Sequence, residues 1–270
     1  MDHAKQNKDR EEEEEDGEPR KEQDVHTRRR RSGMQEWSTW QLIDSILPTG
    51  GFAHSYGLEA ATQAGLVYDA STVSTFAVTT LENAGALLLP FVCSASKQTT
   101  TTEDWILLDS ELHAMLTNHV ARAASLSQGK ALIRLASSVF PEITDEVKSM
   151  RACIQEKNKK KKTTAAAARG AHGHHAIVFG RLFGLLGLDS LTAQRAFLFL
   201  SLRDVLSAAT RLNLVGPMEA ALLQHRHASL AEAVLVKYAN RGVEDAYQTA
   251  PLLDTLQGAH NLLFSRLFCS

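Results

Sequence analysis

Apolar residues along this chain recur at three- and four-residue intervals rather than in alternation. Val73, Phe76, Ala77, Leu81, Ala84 and Leu88 follow that spacing behind Asp69 and Ser71, either of which can cap a helix. The spacing predicts a helix that stops near Pro90. Glu103–Asn118 repeats the pattern with Ile106, Leu107, Leu112 and Leu116, and His119–Phe140 repeats it again up to Pro141. Leu191–Leu214, capped by Asp189 or Ser190 and closed by Gly216-Pro217, is apolar nearly all round and is expected at the centre of a bundle. Met218–Lys237 and Ala246–Leu256 complete the set. Hairpin turns with alternating flanks are missing, so the fold expected is an all-α bundle of roughly eight to ten helices.

Composition agrees with helices. Hydrophobic residues make up 44% of the 270 residues but aromatics only 6%, which leaves Ala and Leu to build the core. Residues 1–36 differ from the rest: Glu11–Asp16 is a block of negative charge and Arg28–Arg31 a block of positive charge. Such a segment buries too little apolar area to offset its ordering entropy, so a disordered charged tail is expected there, with one helical domain over 37–270. Low-complexity inserts near 97–102 and 157–168 interrupt that domain. Formal net charge is −2, which gives no reason to expect nucleic acid or an anionic membrane as partner. Cys93, Cys153 and Cys269 are sparse and show no C-x-x-C spacing, as in a reducing compartment. Residues 1–33 lack the apolar run of a signal peptide, and a cytoplasmic location is expected.

The usual catalytic signatures are absent. The sequence has no G-x-x-x-x-G-K-[ST] to cradle phosphates, no G-x-S-x-G elbow and no H-E-x-x-H. An enzyme is therefore not expected. The candidate metal ligands are His172, His174 and His175, three close imidazoles of a type that suits nickel, copper or zinc. The alternative for them is a polar helix start.

Three further segments stand out. Pro48 and Gly50-Gly51 bend the chain into a corner that carries Gly51, Phe52, His54, Tyr56 and Glu59. These are either anchors for another chain or the core side of a helical corner. The long helix holds Arg203, Asp204, Arg211 and Asn213 among apolar neighbours. Arg203 and Asp204 are adjacent and do not face each other on a helix, so each is expected to pair elsewhere. The plain reading is an ion-pair network between helices; the sharper one is an arginine offered to a partner's phosphate. Finally, Leu262–Ser270 is unusually apolar for a terminal stretch, and a partner is the favoured cover for it over the chain's own core.

Taken together these segments resemble the UreF family of urease accessory proteins. The family's corner, P-x-G-[GS]-[FY]-x-[HY]-S-x-G-L-E, is matched by Pro48, Gly50, Gly51, Phe52, His54, Ser55, Gly57, Leu58 and Glu59. The likeness continues through Ala208–Pro217, Pro251–Asp254 and Ser265–Ser270, the last two blocks looking more like plant members. It spans residues 37–270, outside the charged tail and the Lys157–Ala168 insert.

The resemblance implies an all-α homodimer that acts in a complex with UreD (also called UreH) and the GTPase UreG to deliver nickel to apo-urease. Gly51, Phe52, His54, Tyr56 and Glu59 would then face UreG. Leu263, Phe264, Ser265, Arg266, Leu267, Phe268, Cys269 and Ser270 would dock on UreD. No tightly bound cofactor is implied, and nickel would be held only in passing. A GTPase activator supplying an arginine in trans and a helical nickel carrier remain as alternatives.

Overall fold

The computed structural model describes residues 33–160 and 170–270. The expected tail, apart from residues 33–36, and the insert beyond residue 160 lie outside the described residues. The chain divides into two units at Leu42. In the first, the described residues are helical, in a helix that runs over 33–43 (α1); residues 33–36, placed with the tail on composition, belong to it. Trp37 and Trp40 meet edge to face there at 5.4 Å.

In the second unit the described residues form helices joined by turns, with no strand: α2 (Leu58–Gln63), α3 (Ala70–Asn83), α4 (Leu89–Ser96), α5 (Thr102–Met115), α6 (His119–Val139), α7 (Thr144–Lys160), α8 (His175–Leu185), α9 (Ser190–Arg211), α10 (Pro217–Arg226), α11 (Ala228–Tyr238) and α12 (Pro251–Ala259). Local chemistry sets most boundaries. Asp69 and Thr72 form a reciprocal capping box at the start of α3, and Thr101 with Asp104 forms another at α5. The threonine-rich insert thus supplies a cap. Asn118 accepts from Val120 N and Ala121 N at the start of α6, and Asp189 accepts from Thr192 N at α9.

Two boundaries differ from the sequence pattern. Pro90 does not end its helix. A π-helical turn, Ala84–Leu88, joins α3 to α4 and places Pro90 in the first turn of α4, where its missing N–H costs nothing. The resulting Ala70–Ser96 run is long and apolar enough to cross a membrane, but 72% of its most apolar window is buried inside the protein, as befits a core helix. Conversely, the single helix expected over Met218–Lys237 breaks at His227, whose Nε2 meets Ser74 Oγ at 2.9 Å.

The helix that is apolar on all faces occupies the place expected of it. α9 packs against α3, α4, α8, α10 and α11, with Phe197, Leu198, Val205 and Ala209 buried on different faces. α4 and α8 come closest together because Gly180 and Gly184, one turn apart, lie against backbone. A methyl group on Gly180 would stand 2.5 Å from Val92 O, and one on Gly184 2.5 Å from Ser96 O. Gly180→Ala is therefore expected to lower unfolding free energy by about 1–3 kcal/mol through overpacking, despite alanine's better helix propensity. Urea denaturation of both proteins measures this; equal midpoints would contradict the close approach.

Candidate functional site

The Pro48–Glu59 corner is shaped by two helices that press on it. Gly50 takes φ +84°, and Gly51–Ala53 form one 3-10 turn. A methyl group on Gly51 would lie 2.4 Å from Asp204 Oδ2 of α9. Gly57, at φ +88°, leads into α2, and a methyl group there would lie 3.1 Å from Gln257 N of α12. Between them Tyr56 adopts φ +55°, a left-handed conformation that a non-glycine residue holds only against surrounding constraint. One such constraint is the Tyr56 hydroxyl, which donates to Asp204 Oδ2 at 3.3 Å.

Residues 267–270 close onto this corner. Cys269 N donates to Ala53 O at 2.8 Å, and Ser55 N donates to Ser270 O at 2.6 Å, so the backbones exchange hydrogen bonds in both directions. Ser55 Oγ donates to the same oxygen at 2.9 Å, and His54 Nδ1 meets Ser270 Oγ at 2.7 Å. The Glu59 carboxylate accepts Leu267 N at 2.6 Å and Phe268 N at 3.1 Å. His260 Nε2 is 3.2 Å from Phe268 O, and its Nδ1 is 3.8 Å from Glu59. Arg211, at the end of α9, donates to Phe52 O while its guanidinium lies 4.3 Å over the Phe268 ring.

Corner and tail, read from the sequence as two surfaces, are thus one. Gly51, His54 and Glu59 are buried within it, and Phe52 and Tyr56 are half-buried. The tail divides. Phe268 and Ser270 are buried, and Cys269 is exposed but tied down through its backbone. Leu262, Phe264, Ser265, Arg266 and Leu267 are exposed and Leu263 half-buried, with Phe264 free of all neighbouring cover at 105% relative exposure. Gln63 Nε2 donates to Ser265 O at 2.9 Å and pins the exposed stretch in the middle.

The arginine set departs from expectation at one point. Arg203 and Asp204 do pair with each other: Arg203 Nε and Nη2 reach Asp204 Oδ1 at 3.0 and 2.8 Å. The arginine stem is long enough to fold back along α9, which the rule for short facing side chains does not cover. Arg203 Nη1 also donates to Ile43 O at 2.7 Å, and its guanidinium lies 4.7 Å over the Phe52 ring. Burial pushes the Asp204 carboxyl above the ordinary carboxylate range, against the pull of Arg203. Asn213 ends α9: at φ +57° it allows Leu214 N to donate to Ala209 O at 3.0 Å and its own N to Thr210 O at 3.1 Å.

The histidine run splits in two. The backbone N–H groups of His172, Gly173 and His174 all donate to the buried Asp109 carboxylate. His113 stacks on His172 with ring centroids 3.4 Å apart, and its Nδ1 is 3.0 Å from His174 Nε2. His175, first residue of α8, turns the other way, toward Phe179 and Phe197 at 5.9 and 5.5 Å. His172, His174 and His175 therefore share no site, because Gly173 at φ +85° and the helix start aim them apart. Among the described residues no group of three or more His, Cys, Asp or Glu side chains is arranged to hold a metal ion. The sequence reading missed Asp109, His113 and His260, since each meets its partners across a gap no local pattern spans, apart from their residue types.

Burial holds the His175 imidazole down to about 4, with smaller contributions from His54 and Arg203, and burial lowers His54 as well. A histidine kept neutral in the fold binds fewer protons than its unfolded counterpart. Stability should therefore rise with pH between about 4 and the ordinary imidazole value near 6.5. Replacing His175 by Phe is expected to flatten that rise, as measured by thermal unfolding across this range. An unchanged slope would place the titration elsewhere.

Known proteins supply the context for this geometry. The UreF family model matches residues 67–228. Urease accessory protein F of Oryza sativa subsp. japonica is 53% identical over 234 residues, 87% of this chain and 85% of the relative. That of Arabidopsis thaliana is 53% identical over 241 residues, 89% of this chain and 95% of the relative. Urease accessory protein UreF of Paenarthrobacter aurescens is 32% identical over 235 residues, 85% and 96% of the two chains. An all-helical chain with this corner, matched over most of its length by plant and bacterial relatives, belongs to the UreF family of urease accessory proteins.

Proposed function

We propose that the chain is a non-catalytic cytoplasmic scaffold for urease maturation. It bridges a UreD-type protein to a UreG-type GTPase so that nickel, the cargo, reaches apo-urease. The observation that carries this reading is the shape of residues 260–268. Leu263 N donates to His260 O at 3.2 Å, Gln63 holds Ser265, and Glu59 holds Leu267 and Phe268, yet Leu262 and Phe264 project into solvent. An apolar loop pinned at both ends and in the middle loses little conformational freedom on binding, which favours a partner surface. The UreD-type protein takes this loop. The half-exposed corner around Phe52 and Tyr56, on the same site, faces the GTPase.

A homodimer of such chains would hold two GTPase protomers in register. Its contribution would be orientation, worth roughly 7–11 kcal/mol at best when a bimolecular step becomes intramolecular. Arg211 supports a second reading, an activator that completes the GTPase site, because it is exposed at the edge of the corner. Its hydrogen bond to Phe52 O and its place over Phe268 favour a positioning role instead.

One set of proteins tests both readings. Leu262→Ser with Phe264→Ser should leave the melting temperature unchanged and abolish co-purification with a UreD-type partner; undiminished co-purification would overturn the scaffold reading. In the reconstituted complex, Arg211→Ala should leave GTP turnover per bound GTPase within a small factor of wild type. A fall of about 10³ would identify an arginine finger instead.

A further inference from the structure

His260 sits at the foot of the apolar loop with no exposed surface. Its ring stands between two acceptors. Nε2 is 3.2 Å from Phe268 O. Nδ1 is 3.8 Å from Glu59 Oε2, too far for a hydrogen bond, and has no other partner among the described residues. Both Glu59 oxygens already accept backbone N–H groups, from Leu267 and Phe268, so the ring meets a carboxylate on one side and a carbonyl on the other. Neither has a proton to give.

That arrangement suits neither neutral form of the ring. A neutral imidazole carries one N–H and one lone pair. With the proton on Nε2, Phe268 O is satisfied but the Nδ1 lone pair faces the carboxylate. With the proton on Nδ1, the Nε2 lone pair faces Phe268 O. Either way two buried acceptors face each other, which costs stability. The imidazolium alone offers a donor to each, and Glu59 then balances its charge. Other groups able to carry charge around it are His54 of the corner, Arg211 of α9 over the Phe268 ring and, through Asn261, His119 of α6 and Arg266 of the tail. Glu59 is the one acid in that company; Asp254, the acid of α12, lies more than one helical turn away. Burial first and His260 second hold His54 below the ordinary imidazole value, so His54 stays neutral and adds no competing cation. Arg211 is exposed, where water screens it.

We infer that His260 is a proton-operated latch for the loop over residues 261–267. When the ring takes a proton from solvent it donates to Phe268 O and closes on Glu59, the carboxylate that already holds Leu267 N and Phe268 N. The foot of the loop is then tied by a charge-assisted pair as well as by backbone bonds. The proton favours the tied loop over a released one. The hold therefore tightens as pH falls through the imidazole range and loosens as pH rises. The latch sets how firmly Leu262 and Phe264 are presented, whichever partner meets them.

Imidazole NMR of the full chain, titrated from about pH 8 to about pH 5.5, reads the protonation of the His260 ring. Amide exchange over the same range, normalised for its intrinsic pH dependence, reads the loop. The expected result is one midpoint for both. As the ring protonates, protection of the Leu267 and Phe268 amides should rise about tenfold, while amides of α9 show no rise. His260→Gln, which keeps a donor for Phe268 O but does not titrate, should hold protection constant across the range. The coincidence of midpoints in the wild-type chain tests the latch even where that variant folds poorly. A ring that keeps one protonation state throughout, or protection that ignores the ring's midpoint, would overturn the inference. A rise that persists in His260→Gln would do the same.

Discussion

The candidate site depends on one carboxylate. Glu59 is almost fully buried at the start of α2, and its two oxygens receive the backbone N–H groups of Leu267 and Phe268. Hydrogen bonds to an ionised acceptor are worth about 1.5–3 kcal/mol each, and a buried carboxylate without them would be strongly unfavourable. The tail therefore needs Glu59 to hold its shape, and Glu59 needs the tail to be tolerated in the interior. That mutual requirement fixes the far end of the exposed stretch 262–267, while His260 and Gln63 hold its start and middle.

A second buried charge anchors the other side of the corner. Asp204 fills the space that Gly51 leaves empty, takes the Tyr56 hydroxyl on one oxygen and the Arg203 fork on the other. Removing Arg203 would strip that carboxylate of its counter-charge, and removing the Tyr56 hydroxyl would strip it of a hydrogen bond, so the corner resists piecemeal change. Arg211 then joins corner to tail by a hydrogen bond to Phe52 and contact with the Phe268 ring. α9 thus does two jobs: its apolar faces organise the bundle, and its polar residues near the end fix the surface that a partner would meet.

Much of the fold was legible along the chain because helices are local. Capping by Asp69, Asn118 and Asp189 follows from residue type and position, and the central place of α9 follows from apolar residues on every face. Pro90 and His227 misled in opposite directions, since a π turn and a contact with Ser74 are decided by packing rather than by pattern. The site was legible only as a set of unusual residues. Its pairings join positions more than 200 apart, such as His54 with Ser270, and no spacing rule reaches that far. The histidine run shows the same limit: three neighbours in sequence point to two places, and the residue that does join His172 and His174 is His113, from another helix.

Amide hydrogen exchange at Leu267 and Phe268 tests this account most directly. Both amides should be protected in the wild-type chain. In Glu59→Gln, which keeps the shape but loses the charge and one acceptor, they should exchange markedly faster while amides of α9 stay protected, and co-purification with a UreD-type partner should fall with them. Unchanged exchange at both positions in Glu59→Gln would mean that the tail is held by something other than this carboxylate, and the account would be wrong at its base.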